Sequence, residues 1–346
     1  GDSRLHEWLD SELPRMADAP EGVRLAIAAP RGEAKSTFVS LFFVLWAVLT
    51  GRKHYILIIA DALEQAVSLL GAVKDELEFN EALKRDFPGA GKGHVWNVGT
   101  VVTPGNVKIQ ALGAGKRMRG LRHGPHRPDL IVLDDLENDG NVDKPEQRDK
   151  LQSWLQKTVL NLGAADGSMD VVYVGTLLHY DSVLARTLRK PLWKARTFRS
   201  ILRWPDRMDL WDEWESLLSS RGEAEARRFY RQHRVKMEAG AEVSWPASRP
   251  LYRLMCLRAE DREAFDSEQQ NDPLSANEAP FNGCITFWVD RSRDWLLFGA
   301  VDPSLGKQGA GRDPSAILVG GFLRGSKTLD VVEASSRKRH PDRSIE

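Results

Sequence analysis

Cysteine is scarce: the 346 residues hold two, Cys256 and Cys284, and neither has ligand-like neighbours, which excludes a disulfide-stapled fold and a sequence-local zinc site. An excess of one charge is also absent. Lys+Arg and Asp+Glu number 49 each, so no global field marks a nucleic-acid binder, and any such contact rests on local patches. No apolar run reaches membrane length: the longest, residues 38–49 (FVSLFFVLWAVL), fits a buried core helix. No charged segment with a cleavage site precedes it, so the chain reads as neither secreted nor membrane-integral. Internal repeats and low-complexity tracts are missing. What remains is an ordinary globular composition, 42% hydrophobic and 28% charged, with length for roughly two domains. The first residue is Gly rather than Met, which fits an expression fragment.

Apolar patterning supplies the organisation. Residues 24–29 (RLAIAA) and 55–60 (YILIIA) predict buried strands, and the spacing of Leu63, Ala66, Val67, Leu70, Val73 and Leu77 predicts a helix over 63–79. Further strands are expected at 107–112, 130–133 and 170–174, with a Pro145-initiated helix to about 162. Strands alternating with helices imply a parallel sheet covered on both faces. Between Asp181 and Asp206 lie seven basic residues, Arg186, Arg189, Lys190, Lys194, Arg196, Arg199 and Arg203, and no acid. Residues 204–281 read as helical with Pro and Trp punctuation, which suits a small subdomain or linker. New strands are expected at 295–301, 316–322 and 328–333. The remaining stretch to Glu346 is short for an independent domain, so this third region is expected to be incomplete.

Between the first strand and the first helix, Ala29-Pro30-Arg31-Gly32-Glu33-Ala34-Lys35-Ser36 matches the phosphate-loop pattern [AG]-x4-G-K-[ST], with Ala34 in the place of the second Gly and Thr37 following. The exchange is harmless if the backbone at Ala34 does not need positive φ. In such a loop the successive amides hold phosphates, Lys35 reaches the β/γ oxygens and the Ser36 hydroxyl binds Mg²⁺. A strand-to-helix turn with a solvated lysine is the plain alternative. Farther on, DLIVLDD puts Asp134 and Asp135 at the end of an apolar strand, with Glu137 and Asp139 close behind, a Walker B arrangement in which Asp134 serves Mg²⁺ and the next acid serves the attacking water. Asp135 is narrowly favoured over Glu137 as that base. Thr176, just past the next strand, suits a sensor of hydrolysis or a helix cap. His179 reads as packing or capping.

Residues 116–127 (KRMRGLRHGPHR) carry five Lys/Arg, two His and no acid. Arg117, Arg119 and Arg122 there could meet DNA phosphates, or reach the γ-phosphate on a neighbouring subunit, or form a solvated loop. His123 and His126 lack partners for zinc. In the last region Asp302 ends a strand in GAVDPSLG and Asp313 follows in GRD. A strand-end carboxylate with a returning hairpin is how ribonuclease H-type folds present a first metal ligand, and two-metal hydrolysis needs more, for which Asp313, Asp330 or Glu333 are candidates.

Taken together, APRGEAKST, RPDLIVLDDLEND, VVYVGTLLHYDSVL, AFDSEQQNDP, VDPSLGK and GRDPSAI make the chain resemble the large terminase subunit of tailed bacteriophages, the motor that packages DNA into proheads. The resemblance implies an α/β fold: a P-loop NTPase parallel sheet with helices on both faces over residues 1–203, a helical linker or lid at 204–290, and at 291–346 the start of a ribonuclease H-like nuclease domain. It implies ATP and Mg²⁺ as cofactors, with Mg²⁺ or Mn²⁺ for a nuclease that cuts concatemeric DNA. By position, Arg31 matches the loop arginine acting on the γ-phosphate, Lys35 and Ser36 the nucleotide and Mg²⁺ ligands, Asp134 the Walker B acid, Thr176 the coupling motif and Asp302 the first nuclease carboxylate. Implied partners are double-stranded DNA, the portal protein, the small terminase subunit and a homo-oligomeric ring, in the cytoplasm of a bacterial host and outside the mature virion. Two departures stand out: Asp135 occupies the place of a catalytic Glu, and the later nuclease acids lie beyond the last residue, so the chain is expected to hydrolyse ATP without cutting DNA. A helicase-like DNA-dependent ATPase and an ATP-binding assembly module with little turnover are the rival readings.

Overall fold

The computed structural model describes residues 2–273, 294–302, 315–325 and 328–337. Contacts divide the chain into two units, Gly1–Ala279 and Pro280–Glu346.

The first unit opens with a helix the sequence reading omits, α1 (Arg4–Ala17), capped by Ser3 and burying Leu5, Leu9, Leu13 and Met16 on one stripe. Then follow β1 (Arg24–Ala28), a π-helical segment (Thr37–Phe43) running into α2 (Val44–Leu49), β2 (Tyr55–Ala60), α3 (Leu63–Phe79), α4 (Glu81–Asp86), β3 (Val95–Trp96), β4 (Thr100–Val102), β5 (Lys108–Gly113) and β6 (Leu130–Asp134). Beyond them come α5 (Asp139–Val142), α6 (Pro145–Lys157), β7 (Asp170–Gly175), α7 (Val183–Leu188), β8 (Lys194–Thr197) and β9 (Ile201–Arg203). The sheet order is β3-β4-β5-β2-β6-β7-β1-β8. From β5 to β8 the pairing is parallel, while β3 and β4 add an antiparallel edge. The expected parallel sheet gains an antiparallel edge there, because a short connection lets β4 fold straight back onto β5 where a crossover would need a helix. β8 closes the other edge with all four residues exposed; its Lys194 and Arg196 blunt that edge.

The strands are buried on both faces. Leu25, Ile27, Ile56, Ile58, Val132 and Val172 face α1, α2 and α3, and the alternate residues Ala26, Leu57, Ile59, Ile131, Val171 and Tyr173 face α6 and α7. The helix expected to run to about residue 162 is α-helical to Lys157 and, past Thr158 at φ −114°, goes on as a 3-10 turn over Val159–Asn161.

A third core forms within α8 (Met208–Arg221), α9 (Glu223–Glu238), β10 (Glu242–Val243), α10 (Leu251–Glu260) and α11 (Arg262–Glu268). Trp211 and Trp214 are its fully buried anchors, with Tyr230 and Tyr252 packed on them. β10 pairs with β9. The second unit, by itself, is a three-stranded antiparallel sheet of β11 (Leu296–Asp302), β12 (Ser315–Leu323) and β13 (Thr328–Arg337) in that order. No described helix is long and apolar enough to cross a membrane.

Asp170, at the start of β7, is fastened to the residue run before β2 by a buried ion pair and to the start of β1 by a hydrogen bond. Lys53 Nζ lies 2.7 Å from Asp170 Oδ2, their side chains 8% and 2% exposed, and Asp170 Oδ1 accepts the Val23 amide at 2.7 Å. Burial pushes the Asp170 carboxyl above its ordinary value, opposed by Lys53 and that amide. Lys53→Met leaves a buried carboxylate without its cation and is expected to cost about 3 kcal/mol in urea unfolding. Because the carboxyl is raised in the fold, the deficit shrinks as pH falls toward the carboxylate range, where protonation removes the buried charge.

Candidate active site at the strand ends

Register brings the carboxyl ends of four strands level: Ala60 of β2 pairs with Asp134 of β6, Asp134 with Val174 of β7, and Gly175 with Ala28 of β1. The loop after β1 and the acids after β6 therefore meet across the single intervening strand β7. The Ser36 hydroxyl donates to Asp134 Oδ1 at 2.9 Å, and the Ser40 hydroxyl, one helical turn on, donates to Oδ2. Asp134 has no solvent exposure. Burial first, then the neighbouring Asp135 charge, push its carboxyl up to about 6, against the pull of the two serines and Lys35. Lys35, 7% exposed, places Nζ 3.0 Å from Asp135 Oδ2.

Two left-handed residues shape the loop, Gly32 at φ +80° and Ala34 at +54°. Within this turn the Glu33 amide donates to the Pro30 carbonyl at 3.4 Å. Ala34 thus adopts the conformation on whose absence the harmlessness of the Gly-to-Ala exchange depends, and the strain falls on its Cβ. The Arg249 guanidinium also packs against Gly32: a Cβ there would sit 2.0 Å from it, so a side chain at this position requires Arg249 to move. Pro30 is buried and Thr37 is exposed at the start of the π segment.

The loop is gripped from outside. Buried Glu33 accepts the Ser244 hydroxyl at 3.0 Å, and desolvation raises its carboxyl pKa despite that bond and the nearby Arg249 charge. The Glu33 carbonyl accepts from His6 Nε2 at 2.9 Å, while His6 Nδ1 accepts the Ser3 amide at 3.2 Å. This pairing requires the neutral Nε2–H tautomer. Arg31, exposed, pairs with the Glu268 carboxylate at 2.6 Å, and its amide donates to the Glu268 carbonyl at 2.8 Å. Ser40, Ser244, Arg249 and Glu268 were not marked by sequence. Ser40 carried a signal, four residues beyond Ser36 on one helix; the others come from far along the chain.

Asp135 is itself left-handed at φ +44°, its amide donating to Val174 and its carbonyl accepting from Asp61. Asp135, Lys35, Arg31, Glu137, Asp139 and Thr176 line one cleft of about 230 Å³. Glu137 is committed elsewhere: its carboxylate accepts the Val183 amide at 2.7 Å, the Leu184 amide at 3.1 Å and the Tyr173 hydroxyl at 3.3 Å. It thereby caps the first turn of α7. Thr176 donates to the Ala29 carbonyl at 3.2 Å, and the cap of α7 falls to Ser182. His179 accepts the Asp181 amide and stacks on Tyr180 in that turn.

Arg117, Arg119 and Arg122 are exposed, on a loop pinned by Trp154 Nε1, which donates to the Lys116 carbonyl at 2.9 Å. In the second unit Asp302 ends β11 opposite Ala316, and Asp313 lies outside the described residues. Asp330 pairs through Gly321 with Leu297, five residues from Asp302, about 17 Å along the strand, and accepts from Trp295 Nε1 at 2.7 Å. Glu333 is aligned with Gly299, three residues away. Neither stands beside Asp302, because antiparallel register carries them up the sheet. Among the described residues no group of three His, Cys, Asp or Glu could hold a metal.

Ala34→Gly removes the Cβ from a left-handed residue and is expected to raise stability by about 1 kcal/mol in thermal unfolding, whereas Ala34→Val lowers it.

No protein-family model and no curated protein matches the chain. Among solved structures it is similar to the large terminase of bacteriophage HK97, at 15% identity and TM-score 0.45, over 95% of this chain and 62% of that one. It is also similar to the large terminase of a thermophilic bacteriophage in complex with ADP (10%, TM-score 0.39, 100% and 70% of the two chains), and to the Thermus phage P74-26 large terminase ATPase domain (15%, TM-score 0.37, 78% and 98%). The chain spans about three-fifths of the HK97 protein.

Proposed function

We propose that this chain is an ATP-hydrolysing DNA-packaging motor subunit of the large-terminase kind, with Mg²⁺-ATP bound at the loop after β1. The observation that carries the reading is the Ser36 hydroxyl 2.9 Å from wholly buried Asp134, with Lys35 Nζ 3.0 Å from Asp135 beside it. A hydroxyl and a carboxylate are hard oxygen donors of the sort Mg²⁺ uses when phosphates and waters complete its shell. Ser36 and Asp134 would hold that ion, which supplies charge neutralisation at the β/γ oxygens when bound. The loop amides of Gly32 and of residues 34–37 and the Lys35 ammonium bind phosphate oxygens, and Arg31 reaches the γ-phosphate.

Asp135 is the base in this reading. It takes a proton from water as the water oxygen bonds to the γ-phosphorus and the bond to the ADP oxygen breaks. Glu137 is less suited, since both its oxygens already accept hydrogen bonds. Thr176, bonded to the first carbonyl of the loop, is placed to pass a change there to the segment leading into α7. Arg117, Arg119 and Arg122 supply exposed cations for DNA phosphates or for a neighbouring subunit in a ring, and Asp302 would be the first ligand of a Mg²⁺- or Mn²⁺-dependent nuclease whose other ligands include Asp313. Portal protein, small terminase subunit and double-stranded DNA, inside the bacterial host, are the partners of such a motor.

Steady-state ATPase assays with Mg²⁺, with and without double-stranded DNA, test this. Lys35→Ala and Asp135→Asn are each expected to lower turnover by at least about a hundredfold. Glu137→Gln is expected to keep most of its turnover while lowering the unfolding midpoint, through the weakened cap of α7. Lost turnover in Glu137→Gln at unchanged stability would move the base to Glu137, and wild-type protein inactive under every condition would favour the assembly-module reading.

A further inference from the structure

Asp135 holds a position from which it can serve Lys35 or water, and not both through the same oxygen. Among the described residues it is the one acid within ion-pair distance of Lys35. That lysine is nearly buried, and a buried ammonium is costly to leave without an opposite charge beside it. The acid cannot easily swing away. Its amide is tied to Val174 and its carbonyl to Asp61, and Asp61 is braced by the Asn138 and Asn141 side-chain amides, so a short side chain springs from a fixed backbone. Lysine, by contrast, carries its charge on a four-carbon stem with several rotatable bonds. Of the two partners, Lys35 is the one that can leave.

We infer that Asp135 and the phosphates of a nucleoside triphosphate compete for the Lys35 ammonium, so that the base is freed from its ion pair only when a polyphosphate takes the lysine. Substrate binding and exposure of the base are then one event. Asp135 thereby sets nucleotide affinity as well as rate. A site built this way gives up binding strength, since each phosphate contact to Lys35 replaces an existing charge-assisted bond. The inference rests on reading the cleft as a nucleotide site.

Its test is binding, not turnover. A fluorescent, non-hydrolysable ATP analogue is titrated with Mg²⁺ into wild type, Asp135→Asn, Asp135→Ala and Asp139→Asn, each first checked for cooperative unfolding. Asp139 is the control because it is an exposed acid of the same cleft with no ion pair to Lys35. Both Asp135 variants are expected to bind roughly tenfold more tightly, and Asp139→Asn to change affinity less than about threefold, as suits a screened surface charge. Asp135→Ala provides the same reading should Asp135→Asn fail to fold. Equal tightening in Asp139→Asn would reduce the effect to general repulsion and overturn the competition, as would Asp135 variants that bind no better than wild type. Absence of binding by wild type and every variant would instead overturn the reading of the cleft itself.

Discussion

Asp134 is a carboxylate with no solvent exposure, and a buried acid persists only where its oxygens are satisfied. Here one hydroxyl serves each oxygen, Ser36 and Ser40, four residues apart and so on one side of the same helical segment. Those two bonds fasten the segment after β1 to the tip of β6 across the intervening β7. Left-handed Gly32 and Ala34 flank this junction on one side, and left-handed Asp135 flanks it on the other.

Strain of this kind survives only where the surroundings over-determine it. The main chain of Asp135 is stitched to both neighbouring strands, and the loop is held through the Glu33 side chain and carbonyl by groups from opposite ends of the unit, Ser244 and His6. The helical region does more than follow the sheet. Ser244, Arg249 and Glu268 all reach the loop from it. Lys35 and Arg31, the two cations of the cleft, are each balanced by a carboxylate, one from β6's end and one from α11's.

The second unit stands apart in character. Its three strands are antiparallel, Asp302 closes the first of them, and the register sends Asp330 and Glu333 away from that end. Among the described strands no acid pairs across from Asp302.

Much of the first unit was legible in the chain. Runs such as YILIIA and LIVLD announce buried parallel strands, and the bounds of β2 and α3 coincide with their apolar patterns, because burial on both faces or on one stripe leaves a periodic trace. The loop and acid motifs were legible because their chemistry is local. α1 was missed although Ser3 and the Leu5, Leu9, Leu13, Met16 stripe announce it, and β8 was hidden because an exposed edge strand carries no apolar signature. Tertiary structure alone decided what separates by long stretches of chain: that Ser244 and Glu268 reach the loop, that Glu137 is spent on the amides of α7, that Ala34 must be left-handed, and that Asp330 lies far from Asp302. Periodicity records which side of an element is buried; it does not record which distant residue fills the space opposite, since that depends on register and on how the layers stack.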